Sequence, residues 1–122
     1  MGSAEIYNAV EGIPEVRDCL VVGIEQDDGG YWMPLFVALA DDVEFDDGLR
    51  SKIVNAIRAG ASPRHVPDDV IAVAGIPRTM TGKRLEIPIK RILLGANPSD
   101  VLTPSAVDRP DLLGVFAEHA RA

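Results

Sequence analysis

Apolar residues recur along this chain with two periods, and the switches between them divide it into elements. In SAEIYNAVE at 3–11, Ile6, Ala9 and Val10 share one helical face. Ser3 is a candidate N-cap, and Gly12 followed by Pro14 ends the helix. VRDCLVVGIE at 16–25 is dense in Val, Ile and Leu and predicts a strand. QDDGG at 26–30 is a turn and YWMPLFVALA at 31–40 a second strand, so the pair predicts an antiparallel hairpin. Pro34 has no amide hydrogen to give a ladder, which predicts a free side near it. After an acidic loop at 41–48, Leu49, Ile53, Ala56 and Ile57 return to helical spacing. Asp46 or Asp47 can cap that helix, and Gly60 closes it. SPRHVP at 62–67 is an extended link, and DVIAVAGI at 69–76 predicts a third strand. Pro88 fits only a first helical turn, so a helix is expected from near 87 to Gly95. Residues 96–108 read as a loop. An amphipathic helix is expected from Asp108 and Pro110, with Leu112, Leu113 and Phe116 on its apolar face.

Strands and helices mix without regular βαβ alternation. The expected fold is a small α+β domain: an antiparallel hairpin plus a third strand, packed by about three to four helices. The 122 residues suffice for one compact core, and no internal repeat or low-complexity tract is visible.

Composition narrows the function. Twelve basic residues against nineteen acidic ones give a net charge of −7, which argues against general nucleic-acid binding. No signal peptide and no apolar run long enough for a bilayer is visible. The single cysteine, Cys19, lies in CLVVGI and reads as a buried strand thiol. A reduced, cytoplasmic setting is expected.

Charge is nevertheless concentrated in one place. Residues 78–91 hold Arg78, Lys83, Arg84, Lys90 and Arg91 against Glu86 alone, a local +4 that leaves −11 for the rest. A local anion site is therefore plausible. Arg58, Arg64 and His65 would join it if the extended link packs nearby. The stretch IPRTMTGKRLE is not a phosphate-binding loop of the GxxxxGK[ST] kind. Gly75 and Gly82 enclose six residues, and Arg84 stands where Ser or Thr would bind magnesium. Thr79, Thr81 and Gly82 form a polar turn that would hold Lys83 out at a tip, where a compact positive charge can meet developing negative charge. The plain alternative is a solvated turn feeding a helix. His65 and His119 lie far apart and outside any nucleophile motif, so no metal site is expected. Tyr31 and Trp32 are expected at a sheet face or domain interface.

SPRHVPDDVIAVAGIPRTMTGKRLEIPIKRILLG at 62–95 closely resembles the C-terminal part of acetoacetyl-CoA synthetases, within the AMP-forming acyl-CoA synthetase and adenylate-forming superfamily. GSAEIYNAVEGIPEVRDCLVVG at 2–23 resembles the segment after that superfamily's hinge. The resemblance covers about residues 2–102 and implies a C-terminal lid domain over 1–102, leaving 103–122 as a tail with an amphipathic helix. It implies a two-domain ligase using ATP and coenzyme A, with magnesium held by the N-terminal adenylation domain. The acid, here acetoacetate, would be adenylated, and CoA would then displace AMP. The resemblance places Lys83 on the adenylation lysine and Arg58 near the CoA nucleotide phosphates. Gly2, expected with Arg58 to bind the cofactor, and Glu5 fall on the post-hinge motif, where Glu5 would order the lid. It assigns no role to Arg64 or Arg84. It also implies reversible acylation of Lys83 by a lysine acetyltransferase and deacetylase. The hinge and a Ser/Thr/Gly-rich ATP loop are missing from the 122 residues, so the chain alone is expected to be inactive, as an excised domain. The competing expectations are a free-standing anion- or nucleotide-binding regulatory module, and a structural interaction domain.

Overall fold

The computed structural model describes residues 3–25 and 29–120. Gly2, the side chain of Ser3 and turn residues 26–28 lie outside the described set. Helix α1 (Ser3–Glu11) leads into β1 (Val16–Val21), β2 (Ile24–Glu25), β3 (Tyr31–Trp32) and β4 (Pro34–Leu39). Helix α2 (Asp47–Gly60), β5 (Asp69–Val73) and α3 (Glu86–Leu93) follow. Two short helices, α4 (Pro98–Val101) and α5 (Leu113–Ala117), complete the described chain, with single 3-10 turns at Pro63–His65, Pro104–Ala106 and Pro110–Leu112.

The expected hairpin forms, but each of its strands is interrupted. β1 pairs antiparallel with β4 (Leu20↔Phe36), and β2 with β3 (Ile24↔Trp32), in one continuing register. At the break, the Met33 amide donates 2.7 Å to the Asp68 carboxylate instead of to a strand. Gly23 lies there under the Tyr31 ring: a Cβ at Gly23 would sit 1.9 Å from the phenolic oxygen.

The third strand joins on the far side of β4. The sheet order is β1-β4-β5, and β5 runs parallel to β4 (Phe36↔Ile71). β4, α2 and β5 therefore make one βαβ unit, which the absence of regular alternation had concealed. The free side expected near Pro34 is not found. Pro34 opens the central strand, opposite Asp69 on β5, and its carbonyl accepts from the Val22 amide at 3.3 Å. A first position tolerates the missing N–H.

The sheet is covered on both faces, so its strands read as continuous apolar runs rather than as alternation. Cys19, Val21, Leu35 and Val37 pack with Ile6 and Val10 of α1 and Ile53 and Ile57 of α2. Leu20, Phe36 and Ala38 face the other way, onto Ile89, Ile92 and Leu93 of α3 and Val107, Leu113 and Phe116 of the tail. The α+β class holds. The described residues contain five α-helices rather than three to four, because Asn97 caps a one-turn helix inside the expected loop by accepting from the Ser99 amide.

Candidate functional site

Beyond β5 the chain passes buried Ile76 and Pro77 and turns back on itself. Arg78 and Arg84 face each other across an antiparallel bridge. Inside it, the Thr79 amide donates to the Lys83 carbonyl at 2.9 Å and the Gly82 amide to the Thr79 carbonyl at 2.8 Å. The Thr79 hydroxyl accepts from the Lys83 amide at 3.0 Å. Gly82 has φ +87°, a left-handed conformation that glycine adopts without a Cβ penalty. Threonine and glycine thus close the turn by local bonds, and Lys83 is left exposed at its tip. Among the described residues its ammonium has no hydrogen bond or ion pair. Beside it, Met80 is 68 % exposed.

The two flanking arginines point back into the domain. Arg78 donates to both oxygens of Asp18 on β1, at 2.6 and 3.0 Å, and through Nη1 to the Gly82 carbonyl at 2.9 Å. The bonded carboxylate of Asp18 raises the Arg78 guanidinium above its ordinary pKa. Arg84 pairs with Glu11 at 2.7 Å, donates to the Cys19 carbonyl at 3.2 Å and lies 3.7 Å over the Tyr7 ring. Two of the three cations of the turn are therefore paired in place, and its accessible cation is Lys83. A polar cavity of about 490 Å³ beneath the turn is lined by Glu11, Arg17, Asp18, Cys19, Arg78 and Arg84. Burial pushes the Cys19 thiol up to about 11, which keeps it protonated and unreactive at neutral pH.

The other sequence candidates do not gather here. Arg58 is exposed in the last turn of α2, its guanidinium 3.5 Å from Asn55 Oδ1. His65 is 2.6 Å from the Ser62 hydroxyl and 3.3 Å from Glu5, so the link, expected to be extended but folded as a 3-10 turn at Pro63–His65, ties to α1. No side-chain bond joins Arg58, Arg64 or His65 to residues 78–91 among the described residues. A separate groove of about 250 Å³ runs beside α3, lined by Val21, Gly23, Tyr31, Met33, Ile87 and Lys90 among others. Tyr31 is accordingly exposed at a groove wall, and Trp32 is buried.

Sequence reasoning missed Tyr7, Asp18 and Asp108. The Tyr7 hydroxyl donates to Glu86 at 2.8 Å and accepts from the Val21 amide at 3.2 Å, and burial raises its pKa. Asp108 accepts from the Arg78 amide at 2.8 Å, and its own amide donates to the Arg78 carbonyl at 2.9 Å. Their partners lie 14 to 79 residues away, beyond the reach of any local pattern. No group of three or more His, Cys, Asp or Glu among the described residues is placed to hold a metal ion. No helix among them is long and apolar enough to cross a membrane.

Residues 5–83 match the AMP-binding enzyme C-terminal domain model, and the matched stretch ends on Lys83. The chain belongs to that family. It is 44% identical over 117 residues to the acetoacetyl-coenzyme A synthetase of Rhizobium meliloti, covering 96% of this chain and 17% of that protein. The solved acetoacetyl-CoA synthetase of Streptomyces lividans superposes with a TM-score of 0.91 at 53% identity, over 99% of this chain and 18% of the other. An acyl-CoA synthetase of Brucella canis, 23% identical, shares the fold with a TM-score of 0.66 over 75% of this chain. The chain thus spans less than a fifth of the length of these relatives. Within the family it matches these acetoacetyl-CoA synthetases over 96% and 99% of its length.

Proposed function

We propose that these residues form the mobile C-terminal domain of an AMP-forming acid–thiol ligase that converts acetoacetate, ATP and CoA into acetoacetyl-CoA, AMP and pyrophosphate. In this reading residues 1–102 are the lid and 103–122 a tail packed on it. The exposed, unpaired ammonium of Lys83 carries the proposal. In the first half-reaction a carboxylate oxygen of the acid attacks the α-phosphorus of ATP. The bond to the bridging oxygen breaks, and pyrophosphate leaves with the electron pair. Lys83, delivered into the cleft of an N-terminal adenylation domain, stabilises the negative charge shared between carboxylate and phosphate. In the second, the thiolate of CoA attacks the acyl carbon and AMP departs. Rotation of the lid between the two steps would move Lys83 away and bring Arg58 toward the CoA nucleotide phosphates, with Gly2 beside the hinge.

No cluster of carboxylates among the described residues is placed to hold a magnesium ion. We place the magnesium with ATP in the N-terminal domain. A cytoplasmic location and control of Lys83 by an acetyltransferase and deacetylase complete the reading, since acetylation would remove the charge that adenylation needs.

The test is Lys83→Ala in the full-length ligase. Acid-dependent ATP–pyrophosphate exchange should fall by about 10²–10³-fold, the range for loss of one preorganised electrostatic group. Conversion of supplied acetoacetyl-adenylate and CoA to thioester should change little. Equal loss in both half-reactions would reject the role.

A further inference from the structure

We infer that Arg78 is a positioning residue for Lys83, tying the lysine turn at once to the sheet, to its own left-handed corner and to the C-terminal tail. The inference rests on the adenylation role proposed for Lys83 and adds a residue to it.

Three sets of bonds meet at Arg78. Its guanidinium takes both oxygens of Asp18 on β1, a planar two-point grip that fixes direction as well as distance. The third nitrogen, Nη1, donates 2.9 Å to the carbonyl of Gly82, the residue immediately before Lys83. Its backbone is clasped by Asp108 on both sides: the amide donates to the Asp108 carboxylate at 2.8 Å, and the carbonyl accepts from the Asp108 amide at 2.9 Å. One step further on, Thr79 makes an antiparallel bridge with Val107. The tail therefore adds a single β-bridge to the turn whose other edge carries Arg84.

The consequence is mechanical. A lysine on an exposed turn has four rotatable side-chain bonds, so a loose base would spread its ammonium over many positions. Its base is not loose: Gly82 is held by Arg78, and Arg78 by β1 and the tail. The side chains of Arg78 and Asp18 are 26% and 22% exposed, so the grip is shielded and weakly screened by salt. Arg78 is thus withdrawn from ligand binding, although composition groups it with Lys83. A lysine at 78 would keep the charge near Asp18 but could not span Asp18 and the Gly82 carbonyl in one plane.

The experiment uses the full-length ligase with Arg78→Met, Arg78→Lys and Asp108→Ala, each beside Lys83→Ala. Arg78→Met is expected to lower kcat of ATP–pyrophosphate exchange about 10- to 100-fold, the size of effect that a displacement near 1 Å brings. KM for ATP and thioester formation from supplied adenylate should stay within about twofold. Arg78→Lys should recover only part of the loss, and Asp108→Ala should lose several-fold in exchange alone. Should Arg78→Met fail to fold, Arg78→Lys and Asp108→Ala, which is exposed, are read by the same split. A parallel fall in both half-reactions would make Arg78 an ordinary structural residue and overturn the inference, as would unchanged exchange. If Lys83→Ala abolishes exchange while the other variants leave it intact, Arg78 alone fails. If Lys83→Ala leaves exchange intact, the adenylation role falls and Arg78 with it.

Discussion

At the scale of single residues, neighbours of like charge serve unlike ends. Arg78, Lys83 and Arg84 lie within seven positions, yet two point inward to Asp18 and Glu11 and one outward. Local charge counts cannot separate them, because a carboxylate on β1 or α1 decides the matter. Cys19 shows the opposite case: its apolar surroundings in sequence already predict an inert thiol, and its side chain is fully buried. Burial raises its pKa from an ordinary value near 9 to about 11 and also raises that of Tyr7. A raised value means that the neutral form is favoured in the fold. The stability it contributes is complete below about pH 9 and is lost as pH climbs through about 11. The thermal midpoint should therefore drop across that interval, and Cys19→Ala should make the drop shallower. Iodoacetamide at pH 8 should label Cys19 slowly in the folded protein and rapidly in denaturant; fast labelling of the native state would contradict the burial.

At the scale of elements, α2 and the lysine turn each carry a small local device. The Asp46 carboxylate caps α2 by accepting from the Leu49 amide at 2.8 Å. Replacing it with alanine should cost about 1 kcal/mol, read as a lowered midpoint in urea or heat. Gly82 at φ +87° is the corner of the lysine turn. Gly82→Ala should cost about 1–2 kcal/mol of local strain, expressed as a weakened turn with little change in the global melt. Both devices are legible in sequence, because capping and turn residues act on near neighbours. The split of the hairpin into four strands was not, since it depends on Asp68 taking the Met33 amide from 35 positions away.

At the scale of the whole molecule, the tail is part of the core. Phe116 is fully buried and meets Phe36 of the central strand edge-on, with ring centres 4.8 Å apart. Phe116→Ala should destabilise the domain by about 3–5 kcal/mol, as for large core aromatics. A melt that scarcely moved would mean that the tail docks elsewhere. The isolated 122 residues should show no nucleotide or CoA binding by calorimetry at millimolar ligand, because among the described residues Lys83 stands at a tip and lines neither the cavity beneath the turn nor the groove beside α3. Measurable binding would favour a free-standing anion-binding module instead. The sequence by itself determined the positions of the main elements and the exposed lysine turn, because hydrophobic period, capping, glycine and proline act within a few residues; the family was legible in the resemblance of residues 2–23 and 62–95. Only the tertiary structure decided that β4 is central and parallel to β5, that the tail closes one face of the sheet, and that two arginines brace the turn. Those outcomes depend on contacts between residues tens of positions apart, whose energies no local pattern records.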